Sequence, residues 1–147
     1  MTSRAFAKEN DAERARLASF VAKAPDTVLA RQISGGWTVA GVLGHLAFWD
    51  QRIVELIEKW EREGVPPPRY QDADIDWIND AAKRFLLAVP PRTAADLTIA
   101  IAEKADRLVA ALTDAMLEKN KAAGSPLNVD RAEHRREHLR ELEPLLR

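Results

Sequence analysis

Gly36-Trp37-Thr38-Val39-Ala40-Gly41-Val42-Leu43-Gly44-His45-Leu46-Ala47-Phe48-Trp49-Asp50 reads as the entry to a long helix. Thr38 is a good N-cap, because its hydroxyl can accept from a first-turn N–H that has no helical partner. Trp37 before it and Val42 four positions inside have the spacing of a hydrophobic staple. The apolar pattern continues to Glu63. There Gly64 supplies a left-handed stop and Pro66-Pro67-Pro68 forbids continuation. At about 100° per residue, Val42, Trp49, Ile53, Leu56 and Trp60 fall within about 80° of His45. His45 therefore lies on the inward stripe, and Arg52 falls near the same face.

Apolar spacing is helical along almost all of the remaining chain, and no run alternates convincingly at period two. A first helix is expected from about Asp11 to Lys23, with Asn10 and Glu13 at capping-box spacing and Leu17, Phe20, Val21 and Ala24 inward. After a proline-rich loop over 65–73, Asp74 opens a shorter helix to about Val89. Thr93 and Asp96 start another, expected to run to about Lys119 with Leu97, Ile101, Leu108, Leu112 and Met116 as its apolar seam. A loop over Asn120–Val129 leads to a last helix, capped by Asp130 and Glu133 and running towards Leu146, with Pro144 in its final turn. Four main helices with short connections predict an all-α, antiparallel four-helix bundle with one additional short helix, as a single domain over 1–147.

Composition narrows the chemistry. The 147 residues have a formal charge of −1, which offers no electrostatic case for nucleic acid. No apolar run is long enough to span a membrane, and the N-terminus lacks the apolar core of a signal peptide, so the expected location is cytoplasmic. There are no cysteines, which removes disulfides, thiolate metal sites and a cysteine nucleophile. Any metal must be held by imidazole and oxygen, and any catalytic thiol must come from outside the chain.

Only three histidines occur. His134 and His138 lie four apart in a highly charged helix, yet share an arc of about 80° with Leu142 and Leu145. Both should face the interior, one turn apart, at a spacing that can chelate one ion. A lone H-x-x-x-H is a weak motif, and a lone histidine on an apolar face is more often a satisfied core residue. The joint pattern is stronger: all three histidines fall on inward faces, and desolvating three imidazoles without a shared partner is costly. Three imidazoles leave at least one metal position open for water or substrate. Zinc, nickel, iron or manganese all fit such ligands.

At this point the chain resembles a known family. Residues Gly36–Leu46 resemble the G-W-[ST]-V-x-x-[VI]-x-x-H-L signature of the DinB-like (YfiT-like) metalloenzyme superfamily, which is related to mycothiol-dependent maleylpyruvate isomerase N-terminal domains and bacillithiol S-transferases. Asp76-Trp77-Ile78-Asn79 resembles the family's D-x-x-N segment, and Glu133-His134-Arg135-Arg136-Glu137-His138 its closing H-x-x-x-H. The resemblance covers roughly residues 10–146. It implies a four-helix bundle holding a divalent metal, zinc or nickel foremost, on His45, His134 and His138. It also implies a transferase using a low-molecular-weight thiol, or a hydrolase, acting on a small molecule and often dimeric.

Several residues carry two readings. Trp49, one turn after His45, is either a pocket wall or core, while Trp37 and Trp60 read first as core packing. Arg52 is either a substrate-binding cation for a carboxylate or a bundle-edge arginine paired with Glu55 or a glutamate of the last helix. Asp76 and Asn79 start a helix or hydrogen-bond near the site mouth. Glu141, the best aligned of Glu133, Glu137 and Glu141, is the expected hydrogen-bond partner of a ligand histidine. The remaining Arg/Glu mixture of the last helix reads as a solvated face with weak ion pairs. Gly41 and Gly44 inside a helix suggest close approach of a neighbouring helix or of substrate. The competing expectation is a non-enzymatic helical module in which the histidines serve stability or dimerisation.

Overall fold

A computed structural model describes residues 3–147. Among them the secondary structure is helical, apart from an isolated bridge between Gln32 and Thr38. The helices are α1 (Ala5–Lys23), α2 (Asp26–Leu29), α3 (Val39–Glu63), α4 (Asp74–Ala88), α5 (Pro91–Ala110), α6 (Asp114–Ala122) and α7 (Ala132–Leu142). Short 3₁₀ turns lie at Ser34–Gly36 and Glu143–Leu146, the second where Pro144 interrupts the α-helical pattern.

α3 begins and ends as its sequence dictates. The Thr38 hydroxyl accepts from Gly41 N at 2.9 Å, and Gly64 adopts φ 75° while its N–H donates to the Trp60 carbonyl at 2.7 Å. α3, α5, α1 and α7 close a four-helix ring, with α5 packed most extensively on α3 and α4 laid against the outside of α3. The helix senses are not uniformly antiparallel. Arg14 meets Asp106 while Arg4 reaches past the end of α5, so α1 and α5 run antiparallel. Asn10 meets Arg131 while Arg16 meets Glu143, so α1 and α7 run parallel. α4 takes the antiparallel return along α3, with Leu87 near Gly41 and Asn79 near Trp49. The chain then turns at Pro90-Pro91, which leaves α5 parallel to α3.

Three expected elements are corrected. α1 starts at Ala5, so Asn10 sits inside it, buried, rather than capping it. Its amide instead accepts from Arg131 N and Ala132 N at 2.8 and 2.9 Å and donates to the Val129 carbonyl, pinning the start of α7 from another helix. The long helix expected to reach Lys119 stops at Ala110, and Thr113 caps a new helix by accepting from Met116 N. The face of α5 that packs inward carries Ala94, Ala95, Thr98, Ala102, Ala105, Asp106 and Val109. Leu97 and Ile101 face an outer apolar groove instead, because small side chains allow α5 to lie close on α3.

The core forms two apolar clusters. One gathers Leu17, Phe20, Leu29, Leu43, Leu46, Leu139 and Leu142; the other gathers Ile53, Ile57, Trp60, Val109, Leu117 and Leu127. Between Leu46 and Ile53 on α3 stands Asp50, and between Ala102 and Val109 on α5 stands Asp106, both buried. A charged layer thus separates the two clusters.

Candidate metal centre

Arg135 of α7 is only 1% exposed and occupies that layer. Its guanidinium donates to Asp106 at 2.8 and 2.9 Å and to Asp50 at 3.0 Å. Arg131, one turn earlier and also buried, donates to the other oxygen of Asp50 at 2.8 Å, and Arg14 reaches Asp106. Burial opposes the charge on Arg135, but Asp106 and Asp50 outweigh it and hold the guanidinium above its ordinary pKa. These two arginines are not part of a solvated face. They share the buried side of α7 with Ala132, Leu139 and Leu142 and clamp α7 to α3 in one register. The spacing 132, 135, 139, 142 was the available signal.

That register brings His45 against His134 and His138. The Nε2 of His134 lies 3.0 Å from Nε2 of His45 and 3.2 Å from Nε2 of His138. The ring centroids form a nearly equilateral triangle with sides of 4.9, 5.0 and 4.9 Å, the planes inclined at 78°, 83° and 68°. Direct hydrogen bonding does not account for this. Each ring nitrogen can donate one proton or accept one through a single lone pair, and His134 Nε2 has two neighbours. A shared ion does. Two nitrogens each about 2.1 Å from one metal, at coordination angles of about 90–109°, lie roughly 3.0–3.4 Å apart. The three side chains can therefore hold one metal ion.

Electrostatics favours the ligating state. Burial pushes His45 down to about 4, helped by the charge of His138. Burial pushes His134 down to about 2, with His45, His138, Arg131 and Arg135 adding to it. Burial also lowers His138, against the opposing pull of Glu137 and Glu141. Near neutral pH the imidazoles of His45 and His134 keep their lone pairs. Nδ1 of His45 and of His138 are buried, with no hydrogen-bond partner among the described residues. Glu141 lines a neighbouring cleft beside His138 and acts on it through charge, not through the hydrogen bond expected of it.

The remaining residues build a cleft of about 410 Å³ over the histidines, lined also by Trp49, Arg52, Ile53, Tyr70, Ile75, Asn79, Asn128, Arg131, Glu133 and Glu137. Trp49 is half-buried in its wall, and its indole N–H donates to Asn79 Oδ1 at 2.8 Å. Asn79 thus fixes a cleft wall as well as standing near the start of α4, while Asp76 lies in the first turn of α4 and lines the neighbouring cleft. Trp37 packs edge-on against His45 at 5.8 Å between centroids, and Trp60 is core. A Cβ on Gly41 or Gly44 would stand 2.8 or 3.3 Å from Leu87 or Leu86, so these glycines admit α4, the helix that carries Asn79. Arg52 has not paired with Glu55, which accepts from Gln51 instead. Its guanidinium lies 4.2 Å from the ring centre of Tyr70 and 5.8 Å from that of Trp49. Tyr70 comes from the proline-rich loop, where no periodicity singles it out.

An all-helical bundle with one inward histidine on α3 and two on α7 defines a class of helical proteins equipped to bind a metal. The model of the DinB superfamily matches residues 9–142, and the chain belongs to that family. Comparison with curated proteins and with solved structures gave no match.

Proposed function

We propose that this protein is a divalent-metal-dependent enzyme in which His45, His134 and His138 hold the ion, zinc or nickel, and the cleft above them receives a small molecule. The observation that carries this reading is the approach of the Nε2 atoms of His45 and His138 to that of His134, with the three ring centroids in a nearly equilateral triangle, at the wall of a cleft. When bound to three imidazoles, such an ion keeps a position open and brings the pKa of a water or thiol there towards neutrality. With no cysteine in the chain, a thiol nucleophile would be a low-molecular-weight one supplied with the substrate. The activity is thus either thiol transfer to an electrophile or hydrolysis. Trp49, held by Asn79, forms the wall against which substrate packs. Glu133 and Glu137 are the carboxylates that share the cleft and can take up a proton. Exposed Trp77, Phe85 and Leu97 on α4 and α5 support a homodimer as part of this reading. No described helix is long and apolar enough to cross a membrane.

The test is to load the protein with zinc or nickel and assay it against electrophiles with and without glutathione, bacillithiol or mycothiol. Turnover that requires added thiol marks a transferase, and thiol-independent turnover marks a hydrolase. In either case turnover disappears in His45→Ala while the helical circular-dichroism signal persists. Stoichiometric metal with no turnover of either kind would contradict the enzyme reading. Loss of helical signal together with metal in His45→Ala would favour a structural role for the histidines.

A further inference from the structure

We propose that the cleft selects substrates bearing a single carboxylate, and that Arg52 is the residue that binds it; this rests on the reading of the cleft as a substrate site. Arg52 is half-buried in the cleft wall. Seven other described arginines are buried or half-buried, and each reaches a carboxylate within 3.3 Å. Arg52 alone reaches none among the described residues. Burial holds its guanidinium below the ordinary arginine pKa, against an opposing pull from Tyr70, and the cation of Arg131 adds to the lowering. A buried cation without a counter-charge is costly unless something else supplies the charge.

The geometry also says how a ligand would be held. The guanidinium carbon lies over the Tyr70 ring at 4.2 Å, a cation–π contact, and no described residue accepts a hydrogen bond from its N–H groups. Those N–H groups form the planar fork that matches a carboxylate through two parallel hydrogen bonds. The cleft's other cation, Arg131, is already engaged by Asp50. Glu133 and Glu137 line the same cleft and disfavour a second negative charge. Position 52 stands two turns along α3 from His45, roughly 10 Å along the helix axis at about 1.5 Å per residue. The carboxylate is thus the distal anchor of the substrate and not the group that meets the histidines. Tyr70 is a positioning residue in this scheme, acting through Arg52.

Titration of the zinc-loaded protein with benzoate, its neutral isostere benzamide, and phenylphosphonate, followed by tryptophan fluorescence, tests the proposal. Wild type should bind benzoate at least tenfold more tightly than benzamide. Arg52→Gln should abolish that preference, Arg52→Lys should retain part of it, and Tyr70→Leu should weaken it. The preference should survive removal of zinc with a chelator. If benzoate binding instead disappears with the chelator and persists in Arg52→Gln, the anion sits on the metal and the proposal fails. Equal binding of benzoate and benzamide by wild type would also overturn it. Phenylphosphonate binding more tightly than benzoate, in an Arg52-dependent manner, would overturn the assignment to a carboxylate. Failure to bind zinc at all would count against the metal reading alone, because the benzoate comparison can be made without it.

Discussion

Asp50 faces two buried guanidinium groups with one carboxylate, and it does so five residues after His45 on the same helix. Removing it leaves Arg131 and Arg135 short of negative charge in a dry layer. Breaking a buried pair in this way costs about 3–5 kcal/mol, and Asp106 retains its bonds to Arg135, so the lower end applies. Asp50→Ala is expected to lose about 3 kcal/mol in urea denaturation and to bind metal more weakly, because the clamp setting the α3–α7 register is gone. The histidines make a pH-dependent prediction of their own. Burial holds His45 down to about 4 and His134 down to about 2 in the folded protein, against the ordinary histidine value of about 6.5 in the unfolded chain. Above 6.5 neither state is protonated there and stability is unaffected. Below it the unfolded chain takes up protons that the folded one refuses, so metal-free protein should lose stability progressively from pH 6.5 down to about 4 and beyond. A denaturation midpoint that stays flat from pH 7 to 4.5 would contradict the buried, neutral state of these rings. At this scale the three histidines were legible in the sequence because each stood on an apolar arc. Arg135 and Asp50 were not, because charge in a charged helix reads as solvated until its partner, 85 positions away, is known.

α7 is the element on which the site depends, and its first turn is held by a residue of α1. Asn10 accepts from two of the N–H groups at that helix start and donates to the loop before it. Truncation to alanine removes three bonds and leaves the buried Arg131 N–H unmet, while Ala132 N–H keeps its bond to Asp130 Oδ1. Loss of a capping side chain costs about 1–2 kcal/mol, and Asn10→Ala is expected at the upper end of that range. Its metal affinity should fall as well, which a competition titration against a chromophoric chelator would detect. Unchanged affinity would show that the Arg131–Asp50 contact sets the register alone. The boundaries of α3 were readable because Thr38, Gly64 and the proline run act locally. The break at Ala111–Thr113 was hidden, because Leu112 and Met116 continue the helical spacing on either side of it. Asn10 was misread for a related reason: its capping chemistry is real but serves a distant helix.

Across the whole molecule, α4 returns along α3 and leaves α5 parallel to it, while α7 closes the ring and returns the last two histidines to the first. The helical type of the elements followed from periodicity, whereas the split into α5 and α6 did not, and helix sense depended on how Leu86 and Leu87 dock on Gly41 and Gly44. A site assembled from both ends of the chain links metal binding to folding. Zinc at 100 times its dissociation constant should add about 2.7 kcal/mol, a rise of roughly 5–10 °C in Tm for a chain of this size. The shift should vanish in His134→Ala. The most direct measurement of the central claim is X-ray absorption at the metal edge of stoichiometrically loaded protein. Three imidazole nitrogens at about 2.0–2.1 Å, plus one or more lighter-atom ligands, is the predicted first shell. Fewer than three imidazoles, or no stoichiometric ion to measure, would contradict it.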